Sequence, residues 1–199
     1  MSRFVRASKL RHVFGECAKP QSQFVDLRVS TSGGDHKFIK ANSQFFATAL
    51  NGGGGPVLVW PLTKPGKIPP AAPTLCGHTG IVNDFDFDPF DEKVIATGSA
   101  DATVKIWDLP EGGLEASLHE PRCTLEGHSK PVTFVLYHPT AAGVMATAAK
   151  DMTLRIWDLA TGEARTTIEL PVMAQDLQWS YDGGLLAVSC KDKKLRMFN

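Results

Sequence analysis

Four residue types that can do chemistry together stand near one another in the middle of this chain of 199 residues, and three of them recur. The first copy holds His78, Ser99, Asp101 and Trp107. Serine, histidine and a carboxylate are the groups of a hydrolytic triad, in which the carboxylate orients the imidazole and the imidazole takes the serine proton. One interpretation of these residues is therefore an enzyme that performs acyl transfer.

The repetition of the pattern argues against that interpretation. His128, Asp151 and Trp157 follow 50 residues later, and Ala149 stands where a serine would be expected. In both copies the histidine precedes the tryptophan by 29 residues, and the aspartate precedes it by six. An active site is rarely duplicated at a regular period. The repetition therefore favours a structural role, and no enzymatic activity is predicted.

The residues between these positions indicate β-strands. Residues 81–87 alternate between apolar and polar side chains, as a half-buried strand does. A short apolar run follows at 94–99, and a turn leads from it into the alternating residues 103–109. A Gly-His pair at the start and a Trp-Asp pair at the end resemble a WD repeat, whose four antiparallel strands form one blade of a β-propeller. The predicted fold is therefore an all-β propeller with about four blades.

The resemblance to WD repeats implies a hydrogen-bonded set made of the carboxylate, the imidazole, a serine hydroxyl and the indole nitrogen. Such a set satisfies polar groups that would otherwise be buried without partners, at a cost of ~1–3 kcal/mol each. In the first copy the hydroxyl would come from Ser99. Because Ala149 replaces the serine, a weaker set is expected in the second copy. Asp192 stands six residues before Phe198 and is assigned to the same turn position in a fourth, degenerate copy.

The repeats divide the chain into a basic amino-terminal segment and four blades. The first blade is degenerate, because Trp60 is followed by proline rather than aspartate. The predicted divisions are the amino-terminal segment 1–36, the first blade 37–76, the second blade 77–126, the third blade 127–171 and an incomplete fourth blade 172–199.

The fourth copy ends after its third strand. The first strand of a propeller chain commonly completes the last blade, so residues 24–30 are a candidate for that place and would close a ring of four blades. The alternative is an open arc that corresponds to part of a larger propeller, with unpaired strand edges at its ends. The arc is favoured, because packing sets the angle between blades and the family named below builds seven blades.

The charge of the chain is unevenly distributed. The formal net charge is zero and the composition, 43% hydrophobic and 21% charged, is that of an ordinary globular protein. Residues 1–40 nevertheless carry eight basic and three acidic side chains, which gives +5 there and −5 in the remainder. A basic segment on an acidic body suggests a negatively charged partner for that segment.

The sequence predicts no cofactor and no metal site. Cys17, Cys76, Cys123 and Cys190 share no pair spacing, so neither a zinc site nor a disulfide framework is indicated. The histidines show no ligand spacing either. No run of about 18 apolar residues and no secretory signal is found, so no membrane span is expected. A nucleic-acid partner is not expected.

Several local sequences resemble the coronin family of actin-associated proteins. The basic opening is the specific part, since WD-repeat proteins in general lack it. The resemblance extends along the whole chain but corresponds to only about the first half of a coronin. The matching segments are residues 5–15, 26–30, 73–80, 125–130 and 189–194.

This resemblance implies binding to filamentous actin, with a role in filament organisation and turnover at the cytoplasmic actin cytoskeleton and cell cortex. Arg28, in the segment Asp-Leu-Arg-Val-Ser, corresponds to a principal actin contact of coronins. Arg6, Lys9 and Arg11 would assist it, because the filament surface is acidic. The branched-actin nucleating complex and anionic lipid headgroups are further candidate partners.

Two other interpretations stay open at this point. Arg28 and the basic residues before it are also compatible with ordinary solvated surface charge. The whole chain is also compatible with a general WD-repeat scaffold that docks proteins without specificity for actin. Salt-sensitive binding to filaments that depends on Arg28 would distinguish the coronin-like function from the scaffold.

Overall fold

The computed structural model describes residues 19–30 and 39–199. The predictions for Arg6, Lys9 and Arg11 therefore lie outside the described residues. A short 3₁₀ turn, Pro20–Ser22, opens the described part. It is followed by seventeen strands and no α-helix among the described residues, which confirms the prediction of an all-β fold.

The strands follow one another in a regular order. In chain order they are β1 (Phe24–Val25), β2 (Ile39–Ala41), β3 (Phe45–Ala49), β4 (Val57–Pro61), β5 (Gly66–Lys67), β6 (Thr74–Leu75), β7 (Val82–Phe87), β8 (Val94–Ser99), β9 (Val104–Asp108), β10 (Cys123–Leu125), β11 (Val132–Tyr137), β12 (Val144–Ala149), β13 (Thr153–Asp158), β14 (Glu163–Glu169), β15 (Ala174–Trp179), β16 (Leu186–Cys190) and β17 (Leu195–Phe198).

These strands form four antiparallel sheets in succession. The first sheet has the order β2-β3-β4-β6, the second contains β7 to β10, and the third contains β11 to β14. The fourth sheet contains β15, β16 and β17. Each sheet is a meander of neighbouring strands, so the β7–β8 and β9–β10 turns of the second sheet lie at one end and its β8–β9 turn lies at the other.

Apolar side chains fill the spaces between successive sheets. One cluster, which includes Phe45, Phe85 and Trp107, joins the first sheet to the second. Equivalent clusters join the second to the third and the third to the fourth. The sheets pack so closely that a Cβ atom on Gly98 would lie 2.5 Å from a methyl group of Val135. The small residues of the middle strands are therefore required by the contact between sheets.

Polar side chains fix the second sheet against the third along their inner strands. The amide of Val135 donates to Asp84 Oδ2 and the amide of Tyr137 donates to Asp86 Oδ2, each at 2.9 Å. Asn83 Nδ2 donates to the carbonyl of Val132 at 2.6 Å. Backbone groups of β11 that do not pair within the third sheet thus bond to side chains of β7. These bonds set the register between the two sheets.

The strand at residues 24–30 does not complete the fourth sheet. Its β1 pairs in parallel with β5, and Val29 bridges to Leu50 of the first sheet. The ring of Phe24 packs on Phe46 with a centroid distance of 4.8 Å. In the described part of the chain β17 pairs only with β16. The four-blade ring is therefore not the arrangement found here, and the strands form an open arc.

Candidate functional site

Two buried hydrogen-bonded sets occupy equivalent positions in the second and third sheets. His78 Nδ1 lies 2.9 Å from Asp101 Oδ2, and His78 Nε2 lies 2.8 Å from the hydroxyl of Thr97. The indole nitrogen of Trp107 donates to the same hydroxyl at 2.9 Å. Because the carboxylate can only accept, a neutral imidazole donates through Nδ1 and accepts from the Thr97 hydroxyl at Nε2.

The third sheet repeats this geometry. His128 Nδ1 lies 3.0 Å from Asp151, and His128 Nε2 lies 2.8 Å from the hydroxyl of Thr147. Trp157 donates to that hydroxyl at 2.8 Å. Both histidines and both threonine hydroxyls are buried. The sets therefore tie together the turn, the middle strand and the third strand of each sheet.

The hydroxyl of the set is provided by threonine, so the sequence-based assignment to Ser99 is wrong. Ser99 Oγ instead accepts a bond of 3.2 Å from the amide of Asp101, at the end of the strand. Thr97 lies two residues further into the sheet, between the imidazole and the indole. The expectation of a weaker set in the third sheet rested on Ala149 and fails for the same reason, because Thr147 is present there.

A signal for the threonine was available in the sequence. Thr97 and Thr147 occupy the same position in the two copies, whereas Ser99 corresponds to Ala149. A hydroxyl needed by both tryptophans should be present in both copies. The position shared by the copies was therefore the better candidate.

Burial and hydrogen bonding set the charges of these groups. Burial lowers the pKa of His78 and of His128 below the usual value, against the opposing effect of the neighbouring carboxylates. For Asp101, burial raises the pKa, but hydrogen bonds from Thr103 and the contact with His78 outweigh it and bring the pKa to about 2. At neutral pH the set is therefore a neutral imidazole on an ionised carboxylate. Its hydroxyl is fully buried, which suits a structural bond better than attack on a substrate.

Close packing around the tryptophans explains the glycine before each histidine. A Cβ atom on Gly77 would lie 2.6 Å from the Trp107 ring and 2.7 Å from the carbonyl of His119. A Cβ atom on Gly127 would lie 2.8 Å from the Arg155 guanidinium and 3.2 Å from the Trp157 ring. The Gly-His and Trp-Asp ends of each repeat are thus in direct contact.

The turn of the fourth sheet contains a different pairing. Asp192 accepts two bonds from the Arg196 guanidinium, at 3.1 and 2.7 Å. The hydrogen bonds from Arg196 hold the pKa of Asp192 at about 2. Asp192 therefore stands at the predicted turn but belongs to an ion pair on the surface, not to a buried histidine set.

Arg28 is exposed on a segment that is held against the first sheet. Phe24 and Leu27 pack against the cluster of Phe46, Leu58 and Ile68. The backbone of Asp26 has a φ of 66°, and its carboxylate pairs with Lys67 Nζ at 2.9 Å. This left-handed residue reverses the local direction of the chain. The apolar side chains that precede Arg28 are thus fixed, while Arg28 itself is exposed to solvent.

The described residues offer no candidate for two other kinds of site. Histidine, cysteine and carboxylate side chains nowhere cluster in groups of three or more that could hold a metal ion within residues 19–30 and 39–199. No helix in the same ranges is long and apolar enough to cross a membrane.

Comparison with known proteins identifies the family. The model "WD domain, G-beta repeat" matches residues 72–108, 119–158 and 170–199. A model described as "Domain of unknown function (DUF1899)", which corresponds to the amino-terminal domain of coronins, matches residues 3–67. The crystal structure of the WD40 domain from Toxoplasma gondii coronin aligns with a TM-score of 0.85 and 32% identity, over 90% of this chain. The chain belongs to the coronin family of WD-repeat proteins.

The same comparison explains why the sheets form an open arc. This coronin-family chain spans 46% of the Toxoplasma gondii chain, or about half of its length. Its four sheets are therefore successive blades of a partial β-propeller, which confirms the predicted fold class and the open arc.

The long loop 110–121 extends the edge of the first blade, because Leu118 bridges in parallel to Leu75.

Proposed function

We propose that this coronin-family chain binds filamentous actin and contributes to filament organisation and turnover as a non-catalytic module of the cytoplasmic actin cortex. The observation that carries the proposal is the exposed Arg28 on its anchored segment. The family supplies the partner. Arg6, Lys9 and Arg11 belong to the same proposed contact, because they add positive charge before Arg28.

The anchoring of Arg28 matters for the strength of such a contact. A guanidinium on a fixed backbone loses less conformational freedom on binding than one on a free tail. The ion pair between Asp26 and Lys67 also leaves Arg28 without a competing acidic partner in the described part of the chain. A single exposed pair contributes only ~0–1 kcal/mol, so several basic residues must act together.

The proposal is tested by co-sedimentation of the full chain with actin filaments at low and high salt. We expect saturable pelleting that weakens as salt rises, because the contact is electrostatic. Arg28→Asp should lower the affinity about tenfold, because reversing the charge replaces an attraction to the acidic filament by a repulsion. Lys150→Asp is the matched control, because Lys150 is equally exposed but lies in the turn between β12 and β13 of the third blade. It should pellet like the original chain.

Two results would contradict the proposal. Pelleting that is insensitive to both salt and Arg28→Asp would remove Arg28 from the contact. Absence of pelleting by a folded chain would favour the general WD-repeat scaffold. Sedimentation with vesicles of anionic lipid and pull-down with the branched-actin nucleating complex extend the same comparison of Arg28→Asp and Lys150→Asp to the other two proposed partners.

A further inference from the structure

An open groove lies where the third blade meets the fourth. Its volume is ≈ 570 Å³, and it is bounded by the turn after β11 and the turn after β15. Pro139, Trp179 and Tyr181 provide apolar walls, while Thr140, Gln178 and Asp182 provide polar groups. None of these residues belongs to the buried histidine sets or to the segment of Arg28.

The two turns that form the groove are locked together. His138 Nε2 donates to the carbonyl of Gly183 at 3.0 Å, and the hydroxyl of Thr140 donates to the carbonyl of Asp182 at 2.9 Å. The His138 ring packs on the Trp179 ring with centroids 4.5 Å apart. A Cβ atom on Gly183, whose φ is +75°, would lie 2.1 Å from the His138 ring. The walls are therefore preformed, which lowers the entropic cost of binding.

Tyr181 stands at the rim of this groove with 98% of its surface exposed. Nothing in the turn needs a large aromatic side chain, because Ser180 and Asp182 close it through a 2.6 Å bond. The corresponding turn of the second blade displays Phe90, which remains 52% exposed although the third blade is packed beside it. Both turns therefore display an aromatic side chain to solvent at this end of the molecule. Exposed aromatic residues beside a pocket are typical of binding anchors.

The end of the blades that carries the groove is strongly acidic. In the second, third and fourth blades, the basic residues of this end are Lys93, Arg122 and Arg165, and each is paired with an acid. The acidic residues outnumber them; they are Asp88, Asp91, Glu92, Asp108, Glu111, Glu115, Asp158, Glu163 and Asp182. The negative electrostatic potential at this end therefore attracts cationic partners, and the groove lies at the same end.

We propose that the groove between the third and fourth blades binds an extended segment of a partner protein that carries arginine or lysine beside apolar residues. An arginine side chain would stack on Tyr181, because aromatic faces attract guanidinium groups. Asp182 would attract its charge, and an apolar neighbour would lie against Pro139 and Trp179. This function goes beyond actin binding, because the acidic filament is repelled by the same end of the molecule.

The test uses the full chain and a fluorescent twelve-residue peptide in which Arg-Leu pairs alternate with Gly-Ser pairs. Fluorescence anisotropy should show binding that weakens with salt. Tyr181→Ala should weaken it about tenfold and Asp182→Asn about threefold. Phe90→Ala is the matched control, because it removes an exposed aromatic side chain from the equivalent turn of the second blade; it should bind within about twofold of the original.

The outcomes separate this proposal from actin binding. A peptide with glutamate in place of arginine should not bind, and Tyr181→Ala should pellet with actin like the original chain. The proposal is overturned if Tyr181→Ala and Phe90→Ala behave alike, or if the glutamate peptide binds equally well. It is also overturned if Tyr181→Ala abolishes pelleting, since the groove would then belong to the filament contact.

Discussion

The aspartate in the turn between the second and third strands of a blade has different partners in the second and fourth blades. In the second blade, Asp101 bonds to a buried histidine whose other nitrogen reaches Thr97. In the fourth blade, Asp192 bonds to Arg196 at the surface. The register shows the equivalence, since Thr97 faces Lys105 across the strands as Val188 faces Arg196.

The difference follows from the residues that the fourth blade lacks. The chain has no histidine after His138, and Val188 replaces the threonine. Phe198 occupies the tryptophan position, beside an apolar gap of ≈ 170 Å³ lined in part by Ile156, Ile168 and Leu186. A turn aspartate must still be satisfied, and a neighbouring arginine does so. The buried set of the second blade links the turn to two strands, whereas the partly buried ion pair of the fourth blade links the turn only to the strand that follows it.

The largest expected effect comes from breaking the buried set of the second blade. Thr97→Val keeps the shape of the side chain but leaves the indole donor of Trp107 and the acceptor nitrogen of His78 without their shared partner. Leaving buried polar groups unpaired should lower the free energy of unfolding by about 2–3 kcal/mol. Urea unfolding measures this loss.

Ser99→Ala is the control for that substitution. It removes a hydroxyl that accepts one long bond in the turn, so its cost should stay near 1 kcal/mol or below. If Ser99→Ala destabilised the chain more than Thr97→Val, the assignment of the shared hydroxyl to threonine would be incorrect.

A smaller and gradual effect is expected from pH. The pKa values of His78 and His128 are lower in the folded chain than the unfolded value of about 6.5, so protons bind the unfolded chain more readily. This contribution to stability is complete above about pH 6.5 and is lost as the pH falls below it. Asp192 and Asp101 both have a folded pKa of about 2, so the contribution of these two carboxylates to stability should be lost only as the pH falls from about 4 to 2.

Urea midpoints at pH 7, 6 and 5 follow the loss of the histidine contribution, and midpoints at pH 4, 3 and 2 follow the loss of the carboxylate contribution. A double variant, His78→Gln with His128→Gln, should show a flatter dependence between pH 7 and 5 than the original chain. An unchanged slope in the double variant would show that other groups cause the loss in that range.

The smallest effect is expected from making the fourth blade resemble the second. Phe198→Trp fills part of the gap, but Val188 offers no acceptor to the indole nitrogen, so the net change should stay within about 0.5 kcal/mol. Adding Val188→Thr supplies the acceptor. The double variant should therefore be more stable than the sum of the single changes predicts. Strict additivity in a double-mutant cycle would show that the introduced indole does not bond to the introduced hydroxyl.

Sequence reasoning was accurate where the repeat itself carried the information. The strands expected at 81–87, 94–99 and 103–109 are present as β7, β8 and β9. It failed where one repeat meets another. The bonds from β11 to Asp84 and Asp86 join residues 51 positions apart, so no local pattern indicates them. The groove beside Tyr181 was missed for the same reason, because its two turns are distant in the sequence.

The sequence by itself determined the strands and their grouping into blades, because periodicity and spacing depend only on neighbours along the chain. The pairing of each histidine with its turn aspartate followed from the resemblance to WD repeats. Only the tertiary structure decided which hydroxyl joins the imidazole to the indole, that residues 24–30 pack on the first blade, and that Asp192 turns to Arg196. These choices depend on which side chains and backbone groups meet across sheets, where packing and hydrogen-bond satisfaction select among several partners that the sequence leaves equivalent.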